Sequence, residues 1–220
     1  MAFDNNGAPA AVVWATPKAE STIAYIARVS SNNQENPEYD RLFRFLIEHD
    51  HWSPFEHAVV CMELNTTRAI AAQILRHRSF SFQEFSQRYE TVHHKPKMPE
   101  QRFKAKTNRQ GSVEPDGEYT AEQRHALWAV QESIDKAWGT YQYLVDNGFA
   151  PETARMILPL CTPTRMYMTG TVRSWIHYLG LRLEENTQKE HRELAKHVKD
   201  ALKEVIPTII AMLEQKGQIK

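Results

Sequence analysis

The sequence predicts an α+β fold, because hydrophobic residues recur with two different periods along its 220 residues. Apolar residues spaced three and four apart mark helices, the longest of which is expected from Thr120 to Asn147. Short apolar or alternating segments at Ala11–Ala15, Ala58–Leu64 and Thr164–Thr171 mark strands. A chain of this length can form one domain with a substantial core or two small ones.

The first sixty residues are expected to contain one strand, two helices and a polar loop. Residues 1–10 are expected to form a loose leader. Pro17 begins a predicted helix that reaches about Val29, and Pro37 begins a second helix with one apolar side. Residues 49–57, which read HDHWSPFEH, are expected to form a compact loop rich in titratable side chains.

The segment from Thr67 to Leu75 has the spacing of a helix with one apolar stripe. On that helix Gln73, Arg76 and His77 have the spacing i, i+3 and i+4, which predicts that they share a face. The period then changes from about four residues to two.

The segment from Phe80 to Arg88 is predicted to be extended, because its side chains alternate. An extended chain would place Glu84, Ser86 and Arg88 on one side of the strand. A carboxylate, a hydroxyl and a guanidinium aligned in this way can grip an anion and orient a polar ring.

The second half is predicted to be mainly helical. Residues 93–118 are rich in proline, glycine and lysine and are expected to form a mobile loop. After the long helix ends at Gly148, Pro151 begins another that ends near Leu158. A further helix carries Arg173 and His177, and packing helices follow it.

The composition argues against several classes of protein. The chain holds 27 basic and 27 acidic residues, so nothing in its net charge attracts nucleic acid or an anionic membrane. Its two cysteines cannot build a disulfide framework, which favours the cytoplasm. No apolar run reaches the length that spans a membrane.

The string Arg76-His77-Arg78, seven residues and then Ser86 is the most informative motif. Each of its residues has an ordinary explanation, since cations favour helix C-termini and Glu84 can pair with Arg88 on a solvated strand. Together they resemble the RHR, seven residues, S signature of the flavin-dependent thymidylate synthases. The resemblance extends to ARVS ending at Ser30, to HWSPFEH, to an ARxxLP element and to RSxxxxLxLR, and covers Ala27 to about Glu190.

The resemblance implies two sets of site residues. Those expected to bind dUMP are Gln73, Arg76, Glu84, Ser86, Arg88, Arg155 and Arg182. Those expected to bind FAD are Ser30, His51, Ser53, His77, Arg78, Glu84, Thr171, Arg173 and His177. Thr171 stands where the family usually has asparagine.

The resemblance also implies a single domain over residues 1–220 with a small central sheet flanked by helices, assembled as a homotetramer with active sites shared between subunits. The implied reaction is reductive methylation of dUMP to dTMP. 5,10-Methylenetetrahydrofolate supplies the carbon, and FAD reduced by NADPH supplies the hydride. Arg182 would be catalytic, stabilising negative charge on the pyrimidine.

The spacing of Arg182 from Arg173 and His177 is relevant to whether active sites are shared between subunits. Arg173 and His177 stack at i, i+4 on a helix, whereas Arg182 projects from nearly the opposite side. Two pockets, or one pocket shared between subunits, would use both sides.

Two other classes remain open from the residues alone. Arg76 and Arg78 with neighbouring phenylalanines could bind nucleic acid. A histidine-rich metal-dependent hydrolase could use four histidines, but their spacing matches no zinc pattern, so no metal site is expected. These histidines are His49, His51, His57 and His77. Neither cysteine has a neighbour that would activate it as a nucleophile.

Overall fold

The computed structural model of the chain describes residues 7–109 and 111–219, and it confirms the α+β class. The expected leader at residues 1–10 lies largely outside the described residues. The strands are β1 (Ala10–Ala15), β2 (Val59–Thr67), β3 (Ser81–Glu84), β4 (Phe103–Lys104), β5 (Ser112–Val113) and β6 (Pro163–Thr171). The helices are α1 (Ala19–Ala27), α2 (Asp40–Glu48), α3 (Arg68–Ile74), α4 (Ala121–Asp146), α5 (Pro151–Ala154), α6 (Val172–Arg182), α7 (Lys189–Lys203) and α8 (Pro207–Gln215), with 3-10 turns at Ser53–His57 and Arg155–Ile157.

Four strands form the main sheet in the order β1-β2-β6-β3, and β4 and β5 form a separate antiparallel pair. β1 and β2 are antiparallel, with a register shift between Val12 and Trp14. Along β6, every second side chain is buried, because successive residues of a strand point to opposite faces. Within the described part of the chain, no helix is long and apolar enough to cross a membrane.

The described residues form two compact units, each built from separate segments of the chain. The first unit contains residues 7–65, 74–83 and 166–219, and the second contains residues 66–73 and 84–165 without residue 110. The single domain over residues 1–220 that the resemblance implies remains a prediction.

The core of the first unit is built around the indole of Trp175, which is fully buried. Its Nε1 donates a hydrogen bond of 3.1 Å to the carbonyl oxygen of Val60 in β2. Phe80 packs edge-on against it, with ring centroids 4.8 Å apart. An aromatic cluster of this kind fixes the segment after Arg78 against α6.

The core of the second unit lies along the apolar stripe of α4. Trp138 and Tyr141 stack there with Val92 and Ala154, and the hydroxyl of Tyr141 accepts a 2.8 Å hydrogen bond from the Val92 amide. Thr120 caps the helix through a capping box with Gln123. The predicted bounds of this helix are confirmed to within one residue at each end.

The extended segment predicted from Phe80 to Arg88 is wrong beyond Glu84, where β3 ends. The carbonyl oxygen of Ser86 accepts hydrogen bonds from the amides of Tyr89 and Glu90, so the chain turns there. Strand alternation therefore does not align Ser86 and Arg88 with Glu84.

Four other expectations need smaller corrections. α3 ends at Ile74, so Arg76 and His77 lie in the turn that follows and do not share its face with Gln73. The helix expected from Pro37 begins at Asp40. The loop at 93–118 contains the β4–β5 pair, and the helix from Pro151 becomes a 3-10 turn at Arg155.

Candidate functional site

A cavity of about 760 Å³ lies beside α6 in the first unit, a volume typical of small-molecule sites. One face of α6 provides much of its wall, because residues three, four, seven and eight apart share a helix face. The lining residues are Trp52, Glu56, Ser79, Thr171, Arg173, Ser174, Ile176, His177, Gly180, Leu181 and Gln218.

The start of α6 is fixed by Thr171, whose hydroxyl accepts a 3.2 Å hydrogen bond from the Ser174 amide. The hydroxyl of Ser174 donates to the carbonyl oxygen of Ser79, at 3.3 Å. These contacts tie the helix to the residue that follows Arg78, so both supply donors and acceptors to one wall.

Among the described residues that line the cavity, Arg173 is the only permanent cation and Glu56 is the only carboxylate. The two form an ion pair, and both side chains are about half exposed. Solvent screens such a pair, so Arg173 can exchange Glu56 for an anionic group of a ligand at little cost.

On the other side of α6, Arg182 is held by the middle residue of the Arg-His-Arg motif. Its Nε donates a 2.9 Å hydrogen bond to Nε2 of His77, which is only 8% exposed. A guanidinium can only donate, so His77 must be neutral at Nε2. Burial, with repulsion from Arg182 and His177, lowers the pKa of His77 to about 4, so it remains an acceptor at neutral pH.

A second layer of buried polar groups lies behind this contact. The ring of Tyr178 lies 5.1 Å from that of His77, and its hydroxyl is 3.2 Å from Nε2 of His191. Burial, with repulsion from Arg182 and His77, lowers the pKa of His191 to about 3. Burial likewise lowers the pKa of Arg182 below its ordinary value.

In the second unit, Glu84 is the centre of a small polar cluster. Its Oε1 accepts from Nη1 of Arg68 at 2.6 Å and from the hydroxyl of Thr164 at 2.9 Å. The carboxylate and the guanidinium are 17% and 30% exposed. Glu84 therefore pairs with Arg68 and not with Arg88.

Two arginines of the second unit meet at Glu152. Nη2 of Arg88 lies 3.4 Å from its Oε2, and Nε of Arg155 lies 3.4 Å from its carbonyl oxygen. The Arg88–Glu152 pair is more than half exposed, which makes it weak. Arg88 is therefore the one of the two that pairs with the carboxylate of Glu152, and Arg155 contacts its backbone.

A family model described as thymidylate synthase complementing protein matches residues 11–208. The chain belongs to this family.

Curated relatives agree with this family over most of their length. A flavin-dependent thymidylate synthase from Synechocystis sp. is 47% identical over 199 residues, 89% of each chain. A probable flavin-dependent thymidylate synthase from Paramecium bursaria Chlorella virus 1 is 44% identical over 209 residues, 92% of this chain and 94% of its own. The crystal structure of a UMP/dUMP methylase, PolB from Streptomyces cacaoi, bound to 5-Br dUMP, has the same fold, with a TM-score of 0.81 at 24% identity over 96% of both chains.

Only some of the residues in the thymidylate synthase family motifs line the cavity. Of the residues expected to bind flavin, Thr171, Arg173 and His177 line it. Ser30, His51, Ser53 and Arg78 are exposed elsewhere in the first unit, and His77 is turned inward to Arg182. Glu84 belongs to the second unit. The roles of these residues stay predictions.

The residues expected to bind dUMP divide between the units. Arg76 and Arg182 belong to the first unit, and Gln73, Glu84, Ser86, Arg88 and Arg155 belong to the second. Within the second unit, Arg88 contacts the carboxylate of Glu152 and Arg155 contacts its carbonyl oxygen.

Sequence reasoning missed Trp52, Glu56, Ser79 and Arg68. The first two lie inside HWSPFEH, so the motif pointed to the right loop. Arg68 carried no signal, because its partner lies sixteen residues further along the chain. In the described ranges, no cluster of three or more histidine, cysteine, aspartate or glutamate side chains has the geometry to hold a metal ion.

The cavity wall suits the chemistry of FAD. Trp52 and Ile176 provide apolar surface for a planar ring, and Ser79 and Thr171 provide hydroxyls. Arg173 is a cation that a diphosphate can engage in place of Glu56. The residues present therefore fit this cofactor.

Proposed function

We propose that the chain is a flavin-dependent thymidylate synthase that reductively methylates dUMP to dTMP. 5,10-Methylenetetrahydrofolate is the carbon donor and NADPH the reductant. The observation that carries this proposal is the hydrogen bond from Arg182 to the neutral His77, because it couples the Arg-His-Arg motif to a partly buried cation.

FAD, when bound, supplies the hydride, and the residues of the chain bind and orient it. Arg173 and His177 hold its anionic and polar groups along α6. Ser79 and Thr171 contribute hydroxyls from the neighbouring wall. The cofactor carries the redox chemistry, so this wall needs to provide only binding, orientation and electrostatics.

Arg182 polarises the pyrimidine. One side of its guanidinium is fixed at Nε by His77, which leaves the two terminal nitrogens to donate to a uracil carbonyl. A partly buried cation in that position stabilises negative charge as it develops on the ring. Arg88, which is paired with Glu152 only weakly, and Arg155 are assigned to the phosphate. The family resemblance assigns Gln73, Arg76, Glu84 and Ser86 to the nucleotide as well.

The active sites are shared between the subunits of a homotetramer. Support comes from α6, where Arg173 and His177 line the cavity and Arg182 contacts His77 on the other side. One subunit then presents flavin-binding and nucleotide-binding groups on opposite sides of one helix.

The absorbance spectrum of the purified protein tests the flavin assignment. We expect a yellow protein with non-covalent FAD, or one that takes up added FAD. Arg173→Gln should weaken FAD binding about tenfold, the effect of losing one charge-assisted hydrogen bond. Arg41→Gln, on the exposed side of α2, is the matched control and should bind FAD as the parent does. A colourless protein that binds no FAD would contradict the proposal.

A further inference from the structure

We infer that Arg68 and Thr164 are positioning residues that hold Glu84 so that its free oxygen accepts a hydrogen bond from the nucleotide. This inference rests on the proposed function. Neither residue belongs to the motifs that indicated the nucleotide site, and only the structure brings them to Glu84.

Both contacts converge on the same atom of the carboxylate. Oε1 of Glu84 accepts from Arg68 at 2.6 Å and from Thr164 at 2.9 Å, whereas Oε2 makes no hydrogen bond to any described residue. Oε2 is also not among the buried unpartnered atoms, so the described structure leaves it open to solvent. One oxygen anchors the side chain, and the other remains as an acceptor of fixed direction.

The anchors themselves are well fixed. Thr164 is 6% exposed in β6, and the backbone amide of Arg68 donates a 3.0 Å hydrogen bond to the carbonyl oxygen of Thr162. All of these residues lie in the second unit. Glu84 is the last residue of β3, so without these anchors its side chain would be free to change rotamer at the end of a strand.

The chemistry of dUMP limits what Oε2 can bind. An ionised carboxylate only accepts hydrogen bonds, and dUMP offers two neutral donors, the ring N3–H and the 3′-hydroxyl. In either case Oε2 accepts from a donor group of the nucleoside. The phosphate cannot be its partner, because the carboxylate of Glu84 would repel it. Arg68, by pairing with Glu84, also keeps this carboxylate from being an uncompensated charge in the site.

The test compares Arg68→Met with Arg68→Lys in the FAD-loaded protein, with dUMP affinity measured by calorimetry. Arg68→Met should weaken dUMP about tenfold or more, and Arg68→Lys, which retains one donor and the charge, should recover part of that loss. FAD content should stay near that of the parent, although loss of the ion pair lowers the melting temperature. A merely structural role would instead weaken the binding of FAD and of dUMP together. Arg124→Met, an exposed arginine of α4 in the same unit, is the matched control and should bind dUMP normally.

A second ligand identifies the donor. If 2′,3′-dideoxyuridine monophosphate binds the parent and Arg68→Met equally, Glu84 accepts from the 3′-hydroxyl. If Arg68→Met weakens both nucleotides by the same factor, Glu84 accepts from N3–H. The inference fails if Arg68→Met binds dUMP within twofold of the parent. A parent protein that binds no dUMP at all would instead contradict the proposed function.

Discussion

At the scale of single residues, the neutral imidazole of His77 decides how Arg182 is presented. The histidine is buried, and its Nε2 is the acceptor for Arg182. His77→Leu removes the acceptor, whereas His77→Gln offers an amide oxygen in a similar place. We expect His77→Leu to lower kcat for dTMP formation by one to two orders of magnitude, since a hydrogen bond to a charged group contributes about 1.5–3 kcal/mol.

The glutamine variant provides the comparison. His77→Gln should keep more activity than His77→Leu at equal FAD content. Equal loss in both variants, with normal FAD content, would show that Arg182 does not depend on this acceptor.

The same histidines make the stability of the protein depend on pH. The pKa of His77 is lowered from its ordinary value of 6.5 to about 4 and that of His191 to about 3, mainly by burial. The unfolded chain therefore binds protons below pH 6.5 that the folded chain does not bind. The free energy of unfolding should decrease as pH falls from 6.5 towards 4, by up to about 1.4 kcal/mol per pH unit for each histidine.

Urea unfolding between pH 7.5 and 5.5 measures this dependence. The double variant His77→Gln, His191→Gln should have a flatter profile than the parent. Val198→Ala, at a fully buried position of α7, should lower stability at every pH without changing the slope. An unchanged slope in the double variant would refute the burial of neutral histidines.

At the scale of elements, β6 and the segment after Arg78 pack closely against each other at Gly170. A Cβ at this position would lie 2.4 Å from Cδ1 of Phe80, closer than any real contact allows. Phe80 cannot easily move, because its ring packs against Trp175. Gly170→Ala should cost about 1–3 kcal/mol of stability and weaken FAD binding, since the neighbouring Ser79 lines the cavity.

Gly139→Ala is the matched control in calorimetric melting. Apart from its chain neighbours and the backbone of α4 itself, no atom of the described residues lies within 4 Å of a Cβ at Gly139, so alanine should stabilise the helix by up to about 1 kcal/mol. If the two variants melted alike, the close packing at Gly170 would be wrong.

Elements with a regular pattern could be predicted from the sequence, and irregular ones could not. The bounds of α4 follow from its apolar stripe, the Thr120 cap and Gly148. The turn after Glu84 could not be anticipated, because residues 85–90 contain no glycine, proline or asparagine to signal it. The alternation that predicted a long strand was therefore accidental beyond β3.

In the candidate site, too, some residues could be predicted from the sequence and others could not. Motifs led to Thr171, Arg173 and His177 in the cavity wall and to Arg182. They did not reveal that His77 faces Arg182 or that Arg68 holds Glu84, because both contacts join residues from separate elements. Residue spacing along one helix or strand predicts which face a side chain lies on. The residue that it contacts on another element is known only from the fold.

At the scale of the whole molecule, the proposed chemistry depends on arginines and flavin and on no thiol. Cys61 is buried in β2, where it packs as a small apolar side chain. Burial raises the pKa of Cys161, which keeps its thiol protonated at neutral pH. Neither is therefore suited to attack a pyrimidine.

The most direct test is NADPH-dependent formation of dTMP from dUMP and 5,10-methylenetetrahydrofolate by the FAD-loaded double variant Cys61→Ser, Cys161→Ser. We expect a rate within about tenfold of the parent, with the loss caused by burying a hydroxyl. Added FAD should be required when the protein is stripped of flavin. A folded, FAD-loaded variant that forms no detectable dTMP, beside an active parent, would contradict the account.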